Sequence, residues 1–246
     1  MAIKENTFDV LLLLARPAAG KSEIIAFLKE IPVTSRRKAF HVGNFQEIDD
    51  FPMLWEWFEE DDILEKLGRE RLHTDKEGYF IDASMWDLLI RKMNLLYQKR
   101  LRDFPEYHKN YTTVIEFSRG KEHGGFTRAF NHLSKDILSK AAILYIDVSY
   151  EESLRKNRKR KNPDKPDSIL EHSLPDNKLE HLYKLSDWEE LTAADPSCIR
   201  IQDIPVPYAV FSNEDDCTTK GGDILFKRLE ESLKNLWELY RQFQVQ

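Results

Sequence analysis

Gly20, Lys21 and Ser22 close the stretch A-R-P-A-A-G-K-S at residues 15–22. A glycine that frees the backbone, a lysine that brings charge and a hydroxyl that can bind a divalent cation are the parts of a phosphate cradle, whose full pattern is G-x-x-x-x-G-K-[ST]. Alanine stands at position 15, where that pattern has glycine. In such a cradle successive backbone N–H groups face one concavity at the positive end of a helix dipole, and phosphate oxygens accept from them. The reading makes Arg16, Pro17, Ala18, Ala19, Gly20, Lys21 and Ser22 the binding loop. Lys21 would reach the β- and γ-phosphates and Ser22 would hold magnesium. Ala15 is expected to cost about 1 kcal/mol if its φ is positive. The competing reading is an ordinary strand-to-helix turn with a solvent-facing lysine.

Other residues could act on a phosphate once it is held. Glu116 lies near the end of the apolar run TVIEF, residues 113–117. In open α/β sheets ligands bind outside the carboxyl ends of the strands, so Glu116 is placed to hold magnesium or to accept a proton from an attacking hydroxyl. The alternative is a carboxylate paired with a core arginine. Arg119 would contact an acceptor phosphate or the moving phosphoryl group; otherwise it is a surface arginine before Gly120. Residues 155–161, RKNRKRK, carry six positive charges in seven residues. As a lid they would bring Arg155, Arg158 or Arg160 over a triphosphate, with N-P-D-K-P-D as a flexible tip. A solvated helix face, or a patch for an RNA or DNA end, would show the same run. Asp49 and Asp50 are further candidates for a general base. Trp55 and Trp57 could stack on a ring or simply pack one face of an amphipathic helix. Arg36 and Arg37 are left open.

The elements that must position these residues alternate. Strands are expected at 8–14, 113–117 and 141–148, all continuous apolar runs, with shorter ones at 39–44 and 208–212. Helices are expected at 22–29, at 84–102 behind a capping box of Ser84 and Asp87, at 128–139, and at 224–240 with Leu225, Leu229, Leu233, Leu236 and Tyr240 on one face. Five strands alternating with helices imply an α/β layered fold with a mostly parallel sheet. The 246 residues read as one domain, with an acidic, aromatic insertion at 46–80 and a polar one at 155–190. A hydrophobic content of 41% supplies a sizeable core, and a net charge of −6 argues against a chain built mainly to grip nucleic acid. Cys198, Cys217 and the seven histidines show no metal-ligand spacing. No leader pattern precedes the first strand, and the longest apolar run is too short to span a bilayer. A cytosolic protein is expected.

In chain order, LLLLARPAAGKS, VIEFSRG at 114–120, AILYIDVSYEESLRKNRKR at 142–160 and YAVFSNEDD before a terminal amphipathic helix resemble the P-loop nucleoside and nucleotide kinases. That superfamily includes the adenylate, thymidylate and deoxynucleoside kinases. Residues 46–110 match no pattern of the family. The resemblance implies a five-stranded parallel sheet with helices on both faces and strand order 2-3-1-4-5. It implies ATP as donor, Mg2+ as cofactor and a small-molecule acceptor, nucleoside or nucleotide, between the two insertions. Lys21, Glu116, Arg119, Arg155 and Arg158 would assist transfer, Ser22 and Glu116 would hold the metal, and Asn213 would lie beside the nucleotide base. A non-catalytic ATP-binding protein and a polynucleotide 5′-hydroxyl kinase, which shares the fold, are the alternatives.

Overall fold

The computed structural model describes residues 6–160 and 173–244. β1 (Val10–Ala15) leads through a short loop into α1 (Lys21–Glu30), followed by α2 (Val33–Phe40), β2 (Asn44–Asp49), α3 (Asp50–Lys66), α4 (Ser84–Asp103), α5 (Tyr107–Asn110) and β3 (Tyr111–Phe117). Then come α6 (Gly125–His132), α7 (Lys135–Leu138), β4 (Ala141–Asp147), α8 (Tyr150–Arg160), α9 (Asp176–Tyr183), α10 (Trp188–Thr192), β5 (Cys198–Ile201), β6 (Ile204–Ser212), α11 (Cys217–Lys220) and α12 (Gly222–Gln244). The sheet order is β2-β3-β1-β4-β6-β5. All neighbours run parallel except β5 and β6.

The leucine run explains the centre of this sheet. Successive strand side chains point to opposite faces, so Leu12 and Leu14 enter one core and Leu11 and Leu13 the other. The first core is closed by α4 through Leu89, Ile90, Met93 and Tyr97, and the second by α12 through Leu225, Leu229, Leu233, Leu236 and Tyr240. A strand apolar on both sides must lie mid-sheet with helices on both faces. Each fully buried leucine contributes roughly 1.5–3 kcal/mol. Among the described residues no helix is long and apolar enough to cross a membrane.

The strand order expected from the resemblance, 2-3-1-4-5, holds for the five parallel strands, and a sixth is added at the edge. β5 and β6 form a hairpin whose turn residues Gln202 and Asp203 have φ of 49° and 69°. Such turns favour glycine or asparagine, and their absence hid the hairpin. Pro205 and Pro207 fall where β6 pairs with β5 alone, since its pairing with β4 starts at Tyr208. The second strand is corrected: residues 39 and 40 end α2, His41 turns the chain with φ 54°, and the strand is NFQEID instead. β2 is an edge strand in which only Ile48 is buried, so no apolar run marks it. The expected capping box is absent: the Ser84 N–H is accepted by Asp82 at 2.6 Å, and Asp87 binds Arg128. The helix expected at 128–139 breaks at Leu133 and Ser134 into α6 and α7.

Candidate functional site

Residues 16–20 connect β1 to α1 as a loop that carries two left-handed residues, Ala18 (φ 56°) and Gly20 (φ 118°). The strain foreseen for Ala15 is therefore misplaced: Ala15 stays in the strand and Ala18 turns the chain. Gly20 is the N-cap of α1, and among the described residues no side chain occupies the helix start. Its unpaired N–H groups and dipole are left for an anion. Glycine is needed there for space as well, because a Cβ would stand 2.7 Å from Thr218 Oγ1 and 2.8 Å from Asn213 Nδ2.

The loop is braced from beneath. Asn213, fully buried after β6, donates to the Ala19 carbonyl at 2.7 Å and to Thr218 Oγ1 at 2.8 Å. Asn213 thus lies below the loop and not at its mouth. Ser153 of α8 donates to the Pro17 carbonyl at 2.7 Å, and Lys156 donates to Thr218 Oγ1 at 3.0 Å while pairing with Asp216 at 2.7 Å. Arg16 reaches sideways, donating to the carbonyls of Tyr183 and Lys184 at the end of α9.

The strand ends bring the acids together. In the parallel register Asp49 is opposite Glu116, and Glu116 is opposite Leu13 of β1. Burial raises the pKa of Glu116; burial, Glu116 and then Asp50 raise that of Asp49 to about 8. Lys21 donates to Ser118 Oγ at 2.8 Å, and burial lowers its pKa against the pull of Glu116 and Asp49. Asp50 differs from Asp49: its carboxylate accepts from Arg119 Nη1 at 2.5 Å. Arg119 is only 3% exposed and lies over the rings of Trp86 and Phe117. It is not a surface arginine, and the acid paired with it is Asp50, not Glu116.

These groups share one cleft of about 850 Å³. Pro17, Ala18, Lys21 and Ser22 line one side, Asp49, Glu116, Ser118 and Arg119 the floor. Much of the other side comes from the 46–80 insertion, including Trp55 and Tyr79, and α9 closes over it. Trp57 does not take part; it is buried in the core, stacked on His73 at 5.2 Å. Arg36 is a structural residue, donating to the Gly43 and Leu28 carbonyls.

The basic run is divided by helical periodicity. Lys156 is buried beneath the loop, and Arg160, one turn on, lines the cleft and pairs with Glu23 at 3.2 Å. Arg155 and Arg158 are corrected: Arg155 is clamped by Glu152 and Asp216, and exposed Arg158 by Asp176, so neither lines the cleft. Lys161 and the expected tip at 162–167 lie outside the described residues. Ser118, Ser153, Lys156 and Thr218 were missed by sequence reasoning. A signal existed for α8, where Glu152, Ser153, Lys156 and Asn157 are buried at helical spacing.

No protein-family model matches the chain, nor does any curated protein. Among solved structures the chain is similar to shikimate kinase from Bacteroides thetaiotaomicron, with 14% identity, a TM-score of 0.38, and coverage of 96% of this chain and 99% of that one. No argument is rested on a likeness that distant. The fold assignment stands on the chain itself: a central apolar strand, a glycine-capped loop into α1, and the parallel order expected of a P-loop kinase.

Proposed function

We propose that the chain is an ATP-dependent phosphotransferase that moves the γ-phosphoryl group to a hydroxyl of a small-molecule acceptor. The observation that carries this reading is the shared cleft: the loop ending in Gly20-Lys21-Ser22 and the paired acids Asp49 and Glu116 line the same cavity. Phosphoryl transfer asks the protein for alignment and charge neutralisation more than for covalent chemistry. The loop N–H groups and Lys21 would hold the phosphates of ATP. The acceptor oxygen then bonds to the γ-phosphorus as the bond to the ADP oxygen breaks, and the hydroxyl proton passes to Asp49 or Glu116. Arg119, fixed by Asp50, lies where it can steady the transferring oxygens.

The donor set fits magnesium. Two crowded carboxylates, each with a raised pKa, beside a serine hydroxyl at a helix start offer the hard oxygen ligands this ion takes. Ser22 with Glu116 and Asp49 would hold it, directly or through water, and when bound it neutralises charge on the phosphates. Among the described residues no group of three or more His, Cys, Asp or Glu is arranged as a closed metal cage. That suits an ion that keeps water and phosphate ligands.

The deciding experiment is Lys21→Ala, with ATP affinity and acceptor-stimulated ATP turnover measured on the same preparation. A loss of at least about tenfold in either, some 1.4 kcal/mol, is expected. Unchanged values would end the reading, and tight ATP binding by the wild type without turnover across a metabolite mixture would leave a nucleotide-binding protein that is not a kinase.

A further inference from the structure

The acceptor side of the cleft carries a continuous wall of rings. Trp55, Phe58, Phe80, Trp86 and His123 all line it, with centroid separations of 6.3, 6.5, 4.7 and 3.8 Å in that order. Phe58 and Phe80 lie within 13° of parallel, as do Trp86 and His123 within 23°. Stacked surfaces of this kind are suited to a flat partner, since aromatic pairs prefer offset or edge contacts at 4.5–7 Å.

His123 ends the wall and is 3% exposed. Its Nδ1 accepts from the Gly120 N–H at 3.5 Å, which puts the ring proton on Nε2. That Nε2 has no hydrogen-bond partner among the described residues. A buried donor left unmatched costs roughly 1–3 kcal/mol, a cost that a ligand would remove. Burial, and then Arg119, hold the pKa of the ring down to about 3, so His123 offers a neutral N–H at any physiological pH.

The surrounding charges disfavour an anion. Arg119 is paired with Asp50, Arg71 with Asp62 and Glu65, and Lys76 with Glu65. Lys178 donates to the Glu77 carbonyl and lies over the Tyr79 ring at 4.7 Å. Glu59, Asp75, Glu77 and Glu122 add further carboxylates to this side. A phosphate here would meet cations already engaged and a surplus of like charge.

We infer that this side of the cleft binds an uncharged planar ring along the wall from Trp55 to Trp86, and that the Nε2–H of His123 selects rings presenting a carbonyl oxygen or ring nitrogen at that end. The inference rests on the phosphotransfer reading only for the hydroxyl such a ligand would carry, and its test is made without ATP. His123 is then a selectivity residue that touches the acceptor, and phosphorylated forms of that acceptor are poor ligands.

Binding to the full chain is measured by calorimetry and by quenching of tryptophan fluorescence, with no nucleotide or magnesium present. The probes are uridine and adenosine, their 5′-monophosphates, and phenyl β-D-glucopyranoside, whose ring offers no hydrogen-bond acceptor. Uridine or adenosine is expected to bind at least about tenfold more tightly than its monophosphate and than the phenyl glucoside, as expected for a matched buried donor. His123→Phe keeps a ring and removes the donor, so it should erase the preference over the phenyl glucoside, and His123→Gln should restore part of it. Trp55→Leu, distant from His123 along the wall, should weaken every ring alike. Lys21→Ala should leave ring binding unchanged, so failure of the ATP reading and failure of this inference are told apart. Monophosphates binding as tightly as the parent compounds, an unchanged preference in a folded His123→Phe, or no binding by any ring probe overturns the inference. Should His123→Phe not fold, the order of affinities in the wild type and the Trp55→Leu result still decide.

Discussion

The proposed phosphate contacts come from eight consecutive residues, 15–22, whereas the opposite side of the cleft is assembled from 49–62, 71–86, 116–123 and 174–183. The two sides are also held differently. Backbone turns and small polar braces beneath the loop (Asn213, Ser153 and Thr218) shape the donor side. The acceptor side depends on a buried ion pair and on ring packing between segments far apart in the chain. A locally built cradle should survive damage across the cleft, while a composite wall should fail as a unit.

The largest effect that tests this difference is expected at Arg119. Arg119→Ala leaves Asp50 as a lone buried carboxylate, and breaking such a pair costs about 3–5 kcal/mol. Urea denaturation should show that loss, partly regained in Arg119→Ala with Asp50→Ala. ATP affinity of the folded fraction should stay within a few-fold of wild type. A collapse of ATP affinity in this variant would mean that the two sides are not separable.

Next comes Glu116→Gln. If Glu116 acts on the transferring group, turnover should fall by about a hundredfold, some 2.7 kcal/mol, with ATP affinity nearly unchanged. Turnover equal to wild type removes the strand end from catalysis. The same acids shape the pH dependence of stability in the absence of metal and nucleotide. The pKa of Asp49 is raised to about 8 in the folded chain, so the native state binds more protons than the unfolded one above about pH 4. The contribution of Asp49 to stability is therefore complete below that pH and is lost as pH rises through about 8. Melting temperature should fall between pH 6 and 9, and Asp49→Asn should flatten the fall.

A smaller effect is expected beneath the loop. Asn213→Ala removes the donor to the Ala19 carbonyl, a loss of roughly 1–3 kcal/mol if that carbonyl stays buried. Calorimetry should show weaker ATP binding with ring binding unchanged, the mirror image of Arg119→Ala. Smallest are the arginines of α8. Arg155→Ala and Arg158→Ala remove exposed pairs worth about 0.2–1 kcal/mol and should leave turnover within twofold. Arg160→Ala should lower turnover more than either. Equal effects of all three would restore the expectation of a basic lid acting as a whole.

Much of the donor side could be read from the chain alone because its information is local. An apolar run filled on both faces, then Gly20, Lys21 and Ser22 opening a helix, specifies a central strand, a turn and an exposed helix start within one stretch. The face of α12 was legible for the same reason, since helical periodicity repeats every few residues. Asp49 and Glu116 were each visible as candidates, but sequence could not say that β3 would set them side by side.

What sequence determined, then, was the layered α/β class, the central place of β1 and the loop that opens α1. Tertiary structure decided the rest: that the polar edge strand β2 starts at Asn44, that Asp50 and not Glu116 neutralises Arg119, and that His123 ends a ring wall with an unmatched Nε2. It also decided that helix geometry turns Arg160 toward the cleft and ties Arg155 and Arg158 elsewhere. The physical reason is range. Backbone propensity and periodicity act over a few residues and are written into neighbouring letters, whereas ion pairing, burial of a titratable group and ring stacking depend on distances between segments that only the packed chain defines.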